Sequence, residues 1–367
     1  MLIYISVFII SYIFMSLAWK CQKNKILFIG FSLLTILVPS LLAGFRDETV
    51  GHDLVHYAVP CWTACAEMKN IAEPFVYIYE SGLEELYVLY DFILTRFTTD
   101  FFWMLFIQMF FIMSLVYLFC YKLRHRFDAP LYFLSYMFFY YCQMMSANRQ
   151  AFAVALVMFS YMFVMKREKV KFLLCIVFAY GFHHSALLAV LIYPLDIYLS
   201  KITKESFAKK FWIVFASGIV FYFIFAIIIS YLINIGIFSS KYEKYLDADY
   251  NVHKINIVVY IFFFFYIKVV GRDVCLSNKI RLLILISFFI TLLGVYNDIA
   301  TRVALYLDLY WMACFLMLVN GSPAVQRKKP HLAYILAFVA LFVYTANGKQ
   351  KYAEAIPYTS KELGIKE

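Results

Sequence analysis

Apolar stretches about as long as a bilayer is thick recur along nearly the whole chain. A helix rising 1.5 Å per residue needs roughly 20 residues to cross about 30 Å of hydrocarbon. Twelve such segments are read, at approximately 2–19, 25–43, 101–121, 129–145, 150–165, 169–183, 185–199, 210–235, 255–270, 279–296, 302–320 and 331–346. With 64% of residues hydrophobic and 15% charged, against about 25% charge in ordinary soluble domains, the chain has too little polar surface to fold in water. The sequence predicts an all-α integral membrane protein, a single transmembrane domain over 1–367 built as a polytopic bundle of about 12 helices. The first segment has no basic flank before it and no small-residue cleavage site after it, the pattern of a retained anchor and not of a signal peptide.

The formal net charge of +10 would raise nucleic acid as a partner in a soluble protein. Here the placement of the basic residues gives another reading, and no nucleic acid is expected. Alternate short loops and their edges hold Lys20, Lys23, Lys25; Lys122, Arg124, Arg126; Lys166, Arg167, Lys169, Lys171; Lys201, Lys204, Lys209, Lys210; Lys268, Arg272, Lys279, Arg281; and Arg327, Lys328, Lys329, which is 21 of the 33 basic residues. By the positive-inside rule these loops are cytoplasmic, and both termini face the other side. The acids concentrate oppositely. Asp47, Glu48, Asp53, Glu67, Glu73, Glu80, Glu84, Glu85, Asp91 and Asp100 all fall in 44–100, the only long loop in the sequence. A loop of that length is more often a functional element than a passive link. Its part at 73–97, with Leu83, Leu86, Tyr87, Tyr90 and Leu94 at helical spacing, reads as one or two interfacial helices on the periplasmic side.

The cysteines have no metal-site spacing. Cys120, Cys142, Cys175 and Cys314 lie in apolar runs, and Cys21 and Cys275 in short basic loops. Cys61 and Cys65 share the long loop, where a disulfide is open to them, but an i,i+4 pair on a helix is more often unbridged.

Candidate chemistry lies where polar residues remain at the outer ends of spans. Arg46, Asp47, His52 and Asp53 follow the second segment; Asn148, Arg149 and Gln150 separate the fourth from the fifth; His183 and His184 separate the sixth from the seventh; Asn297, Asp298 and Arg302 separate the tenth from the eleventh. Polar groups gathered at membrane depth mark a cavity by default, because burying them unpaired is costly. Each also has a purely structural explanation. Arg46 and Arg302 suit snorkelling, Asp298 and Arg302 form an i,i+4 pair, Asp53 suits a helix N-cap, and His183 with His184 suits a polar turn. Jointly the three arginines point to an anion, since planar guanidinium forks match phosphate oxygens. Asp308, six residues beyond Arg302, is read as neutral and hydrogen-bonded inside the bundle.

These residues carry a resemblance. The string Arg46-x4-Gly51-x-Asp53-x3-Tyr57, then Asn148-Arg149-Gln150, Phe182-His183-x-Ser185-Ala186, Arg302-x3-Tyr306 and the terminal Ile356-Pro357-Tyr358 together resemble the EpsG family of Wzy-like polysaccharide polymerases. His52 departs from the pattern, a small polar residue being expected there, and the doubled histidine leaves His184 beside His183. The resemblance implies a GT-C-like bundle in the bacterial inner membrane, with an active site facing the periplasm. It implies a metal-independent glycosyltransferase, without cofactor, that extends an O-antigen, capsule or exopolysaccharide. Donor and acceptor would be undecaprenyl-diphosphate-linked oligosaccharides, with membrane lipid, a flippase and a chain-length regulator as the setting. Within it Arg46, Arg149 and Arg302 take the diphosphate, His183 or Asp53 is the base, and His52, His184, Asp298, Tyr57, Tyr306 and Asp308 support them. Competing readings are a lipid-linked glycan transporter or flippase, an O-antigen ligase and a membrane acyltransferase.

Overall fold

The computed structural model describes residues 1–234, 254–295, 298–321, 324–347 and 354–366. The chain divides into two compact units, 1–187 with 334–367, and 188–333. Every one of the twelve apolar segments falls on helix: α1 Leu2–Lys20, α2 Lys25–Gly44, α6 Phe101–Leu123, α7 Ala129–Ser146, α8 Asn148–Lys166, α9 Lys169–Phe182, a 3-10 stretch His184–Leu191 running into α10 Ile192–Ser200, α11 Lys204–Asn234, α12 Lys254–Val270, α13 Val274–Leu292, α14 Asp298–Asn320 and α15 Ala324–Asn347. Among the described residues, 8 helices are long and apolar enough to cross a membrane: α1, α2, α6, α8, α11, α13, α14 and α15. The protein is therefore a multi-pass membrane protein. α9, with 14 residues, spans only about 21 Å.

Several helices begin before their apolar stretch does. α11 starts at Lys204 and α13 at Val274, each about five residues ahead of the expected span, because the side chains of Thr203 and Asp273 accept from the Ser206 and Leu276 amides at 3.2 and 2.9 Å and cap the helices there. Two basic residues of α13 are also bonded within the protein. Lys279 is inside α13 and paired with Asp196, and Arg281 donates from Nε to the Phe264 carbonyl while stacking on Phe207 and Phe264.

In the first unit α1 and α2 form a hairpin whose second helix is capped by Asn24, accepting from the Ile26 and Leu27 amides at 3.1 and 3.2 Å. α2 packs on α6, α6 on α8, α8 on α9, and α1 on α7. Tyr4, Phe8, Phe138, Tyr141 and Phe342 meet edge to face in its core.

The long loop between α2 and α6 has its own architecture. A π-helical turn Leu54–Ala58 leads into α3 Val59–Glu67, followed by α4 Glu73–Ser81 and α5 Glu85–Thr95. α5 packs on α3, α4 and α9. Its buried residues are Tyr87, Val88, Asp91, Phe92 and Thr95, while Leu86 and Leu94 are half-buried. Burial pushes the Asp91 carboxyl well above the usual range, which favours its neutral form. Cys61 and Cys65 are both free and buried on α3, and the Cys65 thiol donates to the Val88 carbonyl at 3.7 Å.

The C-terminal segment returns to the end of α2. Tyr358 donates to the Leu42 carbonyl at 2.9 Å, the Asp47 amide to Thr359 O at 3.1 Å, and the Lys361 amide to the Asp47 carboxylate at 2.9 Å. The Ile356-Pro357-Tyr358 string thereby holds the stretch that carries Arg46.

The second unit contains two buried polar networks. Asp196 on α10 accepts from Tyr310 on α14, is paired with Lys279 on α13, and takes the Ser200 hydroxyl at 3.3 Å. Two residues before Tyr310 on α14, Asp308 accepts from Trp311 Nε1 at 2.9 Å and from Tyr260 at 2.8 Å, as expected of a hydrogen-bonded acid inside the bundle. Removing one partner of a buried pair strands the other charge. Asp196→Ala should therefore lower stability by about 3–5 kcal/mol in thermal unfolding of the purified protein, and Asp196→Leu combined with Lys279→Met should recover most of that loss. An unchanged midpoint for Asp196→Ala would contradict the assignment of the pair as buried.

Candidate functional site

One buried carboxylate in the first unit gathers groups from distant parts of the sequence. Glu84 immediately precedes α5 and is 5% exposed. Its Oε2 accepts from Arg149 Nη1 at 2.5 Å, and its Oε1 lies 2.8 Å from His183 Nδ1. Burial pushes the carboxyl up, but the His183 hydrogen bond and the Arg149 charge outweigh it and hold Glu84 at about 2, fully ionised.

Local sequence explains each approach. Gly82 ends α4 in the left-handed conformation, with φ of 65°, which turns the chain so that Glu84 starts the next helix. Arg149 is the second residue of α8. His183 is where α9 stops: its backbone is extended while its amide still donates to Ala179 O at 2.9 Å. Two residues earlier, a Cβ at Gly181 would stand 2.6 Å from the Leu86 side chain. The missing side chain lets α9 approach α5 and brings His183 to Glu84.

Arg149 has further neighbours. Its guanidinium lies 4.6 Å from the centre of the Tyr57 ring, and Asp53, 8% exposed, interacts with it electrostatically. Asp53 owes its position to Gly51, whose φ is 113° and whose Cβ, if present, would be 2.4 Å from the Met145 carbonyl oxygen. Only glycine fits that contact. The next amide, of His52, donates to Ser146 Oγ at 3.1 Å. The side chain of Asp53 makes no cap to the helical turn that follows.

Arg46 is 6% exposed, and Nη2 donates to Asn148 Oδ1 at 3.0 Å. Gln108 in turn donates to the Asn148 carbonyl at 2.8 Å. Burial lowers Arg46 to about 10, so it stays a cation at neutral pH. No carboxylate pairs with it among the described residues. Its Nε and Nη1, together with Arg149 Nε, Asn148 Nδ2 and the Tyr87 hydroxyl, are buried donors without a hydrogen-bond partner among the described residues. Such groups are costly unless a ligand or water meets them.

The structure thus brings Arg149 and His183 to Glu84, and Asp53 and Tyr57 to Arg149, with Arg46 bonded to the neighbouring Asn148. Two other residues expected in the site have partners elsewhere in the first unit. His184 is half exposed, stacked on Tyr180 and 3.7 Å from the exposed Glu85, so of the histidine doublet only His183 enters the cluster. The His52 imidazole is also half exposed and faces Glu354 at 3.5 Å and the His56 ring. Arg302, half-buried, with Tyr306 and Asp308, both buried, belong to the second unit. Asp298 opens α14, and its side chain lies outside the described residues, as does Asn297.

Glu84 is the member that sequence reasoning passed over as one acid of an acidic loop. A signal existed in the matching doublets Glu84-Glu85 and His183-His184, of which one partner each turns inward and the other outward.

The EpsG family model matches residues 29–360 of the 367, and the chain belongs to that family. No curated protein and no solved structure matches it. Family membership supports a Wzy-like polymerase of the glycosyltransferase type.

Because the folded state holds Glu84 below its ordinary 4.5, its contribution to stability is fully present above about pH 4.5 and is lost as pH falls through about 2. The shift corresponds to about 3 kcal/mol. Thermal unfolding of the wild type across that window should weaken more steeply than that of Glu84→Gln; parallel profiles would contradict an ionised, doubly bonded Glu84.

Proposed function

Starting from membership of the EpsG family, we propose that the protein polymerises a bacterial surface glycan from undecaprenyl-diphosphate-linked repeat units. The reading includes twelve membrane spans in a GT-C-like arrangement in the inner membrane, with the Glu84 cluster facing the periplasm. A flippase that delivers the units and a chain-length regulator are the partners that fit. The observation that carries it is the combination, in one buried cluster, of an uncompensated guanidinium with an oriented imidazole. Arg46 and Arg149 offer unpartnered N–H donors to a diphosphate, and His183 presents a ring nitrogen to a sugar hydroxyl.

In the reaction so read, the acceptor hydroxyl oxygen attacks the anomeric carbon of the donor as its proton passes to His183. The bond from that carbon to the diphosphate oxygen breaks, undecaprenyl diphosphate leaves, and the configuration inverts. The arginines take up the charge that develops on the leaving group. Asp53, facing Arg149, balances the second cation and is not the base in this reading. Arg302 is assigned to binding a diphosphate on the strength of the Arg302-x3-Tyr306 string alone. A base contributes typically about 10²–10⁴-fold in rate.

The test uses purified full-length protein with lipid-linked repeat units. Arg46→Ala should lose both donor binding and extension, whereas Arg46→Lys keeps part of each, since an ammonium retains the charge without the fork. His183→Ala should bind donor normally and turn over about 10²–10⁴-fold more slowly. Full glycan ladders from both alanine variants overturn the proposal. Reporter fusions at Arg167 and at the C-terminus should report opposite compartments, and a shared compartment would remove the periplasmic placement.

A further inference from the structure

Glu84 does more in this geometry than neutralise an arginine. Its two oxygens have separate partners: Oε2 takes the Arg149 donor, and Oε1 meets His183 Nδ1. An ionised carboxylate has no proton to give, so Nδ1 must carry one and donate it. The lone pair of the ring is then on Nε2, which has no partner among the described residues. From this arrangement we infer that Glu84 is the positioning residue of the site: it fixes the His183 tautomer and ring orientation so that Nε2 is the proton acceptor. The inference rests on the proposed glycosyl transfer for the identity of the proton donor, a sugar hydroxyl of the acceptor, which loses its proton to Nε2 as its oxygen bonds to the anomeric carbon.

Arg149 makes the arrangement selective. By holding Oε2 it leaves only Oε1 for the histidine, and it keeps the carboxylate ionised beside an imidazole that becomes a cation during the reaction. In Glu84→Gln the amide oxygen would keep the Arg149 donor, and the amide NH2 would then face Nδ1. Nδ1 would have to accept, and the proton would move to Nε2, the nitrogen that must be bare. The substitution is nearly isosteric and preserves the Arg149 contact, which separates loss of the tautomer from loss of the fold.

Two readouts on the full-length protein in lipid nanodiscs test this. In ¹⁵N-histidine-labelled protein, with the His183 signal identified by its loss in His183→Gln, the neutral ring should be protonated on Nδ1 in the wild type and on Nε2 in Glu84→Gln. With lipid-linked repeat units, Glu84→Gln should leave the donor KM within about twofold and lower kcat toward the His183→Ala level, about 10²–10⁴-fold. Glu84→Asp, which keeps a carboxylate on a shorter stem, should retain part of the turnover. An unchanged tautomer in Glu84→Gln, or a switched tautomer with wild-type kcat, overturns the inference. A wild type that shows the expected tautomers yet never extends the glycan overturns the polymerase reading and leaves the positioning role of Glu84 standing.

Discussion

A single ionised carboxylate, Glu84, bonds both Arg149 and His183, and the first unit is organised so that this is sterically achievable. Neither contact is local. The acid comes from the loop between α2 and α6, the arginine from the start of α8, and the histidine from the end of α9. Charge-assisted hydrogen bonds inside a buried environment are strong when every partner is met and costly when one is missing. The two close approaches that bring the elements together are therefore made at glycines, Gly51 against the Met145 backbone and Gly181 against Leu86.

Arg46 illustrates the opposite electrostatic choice. It is as deeply buried as Glu84, but it faces the tyrosines Tyr4, Tyr141, Tyr358 and Tyr87, with one amide oxygen for a partner. A protein that needed only a stable packing at this position would do better with an apolar side chain. Keeping a cation there, held from behind by the Asp47 and Tyr358 contacts of the C-terminal segment, is a cost that binding of an anion would offset, as the proposed function requires. The buried Asp196–Lys279 pair in the second unit differs in this respect, because its charges are matched within the protein and further bonded by Tyr310 and Ser200.

Much of the fold was legible because hydrophobic length and charge placement act over whole segments. Among the described residues all twelve apolar runs fall on helix, and 8 helices are long and apolar enough to cross a membrane. Helix starts were less legible: α11 and α13 begin at their caps, Thr203 and Asp273, ahead of the apolar runs. In the site, Arg46, Gly51, Asp53, Tyr57, Arg149 and His183 could be named from motif spacing. Glu84 could not, because one acid among ten in a loop carries no periodicity, and its importance arises only when α9 is laid against α5. The spacing also gave no means of choosing between His183 and His184, a choice that depends on which of them the extended backbone at the end of α9 turns inward.

The most direct test of the central claim is to ask where the diphosphate of a lipid-linked donor sits. A donor carrying a photoreactive group beside its diphosphate, crosslinked to the full-length protein in nanodiscs and mapped by mass spectrometry, should label the stretches around Arg46, around Tyr87 and around Asn148–Arg149. Excess unlabelled undecaprenyl diphosphate should suppress that label. Labelling that avoids all three stretches, or that resists competition there, would contradict a diphosphate site at the Glu84 cluster.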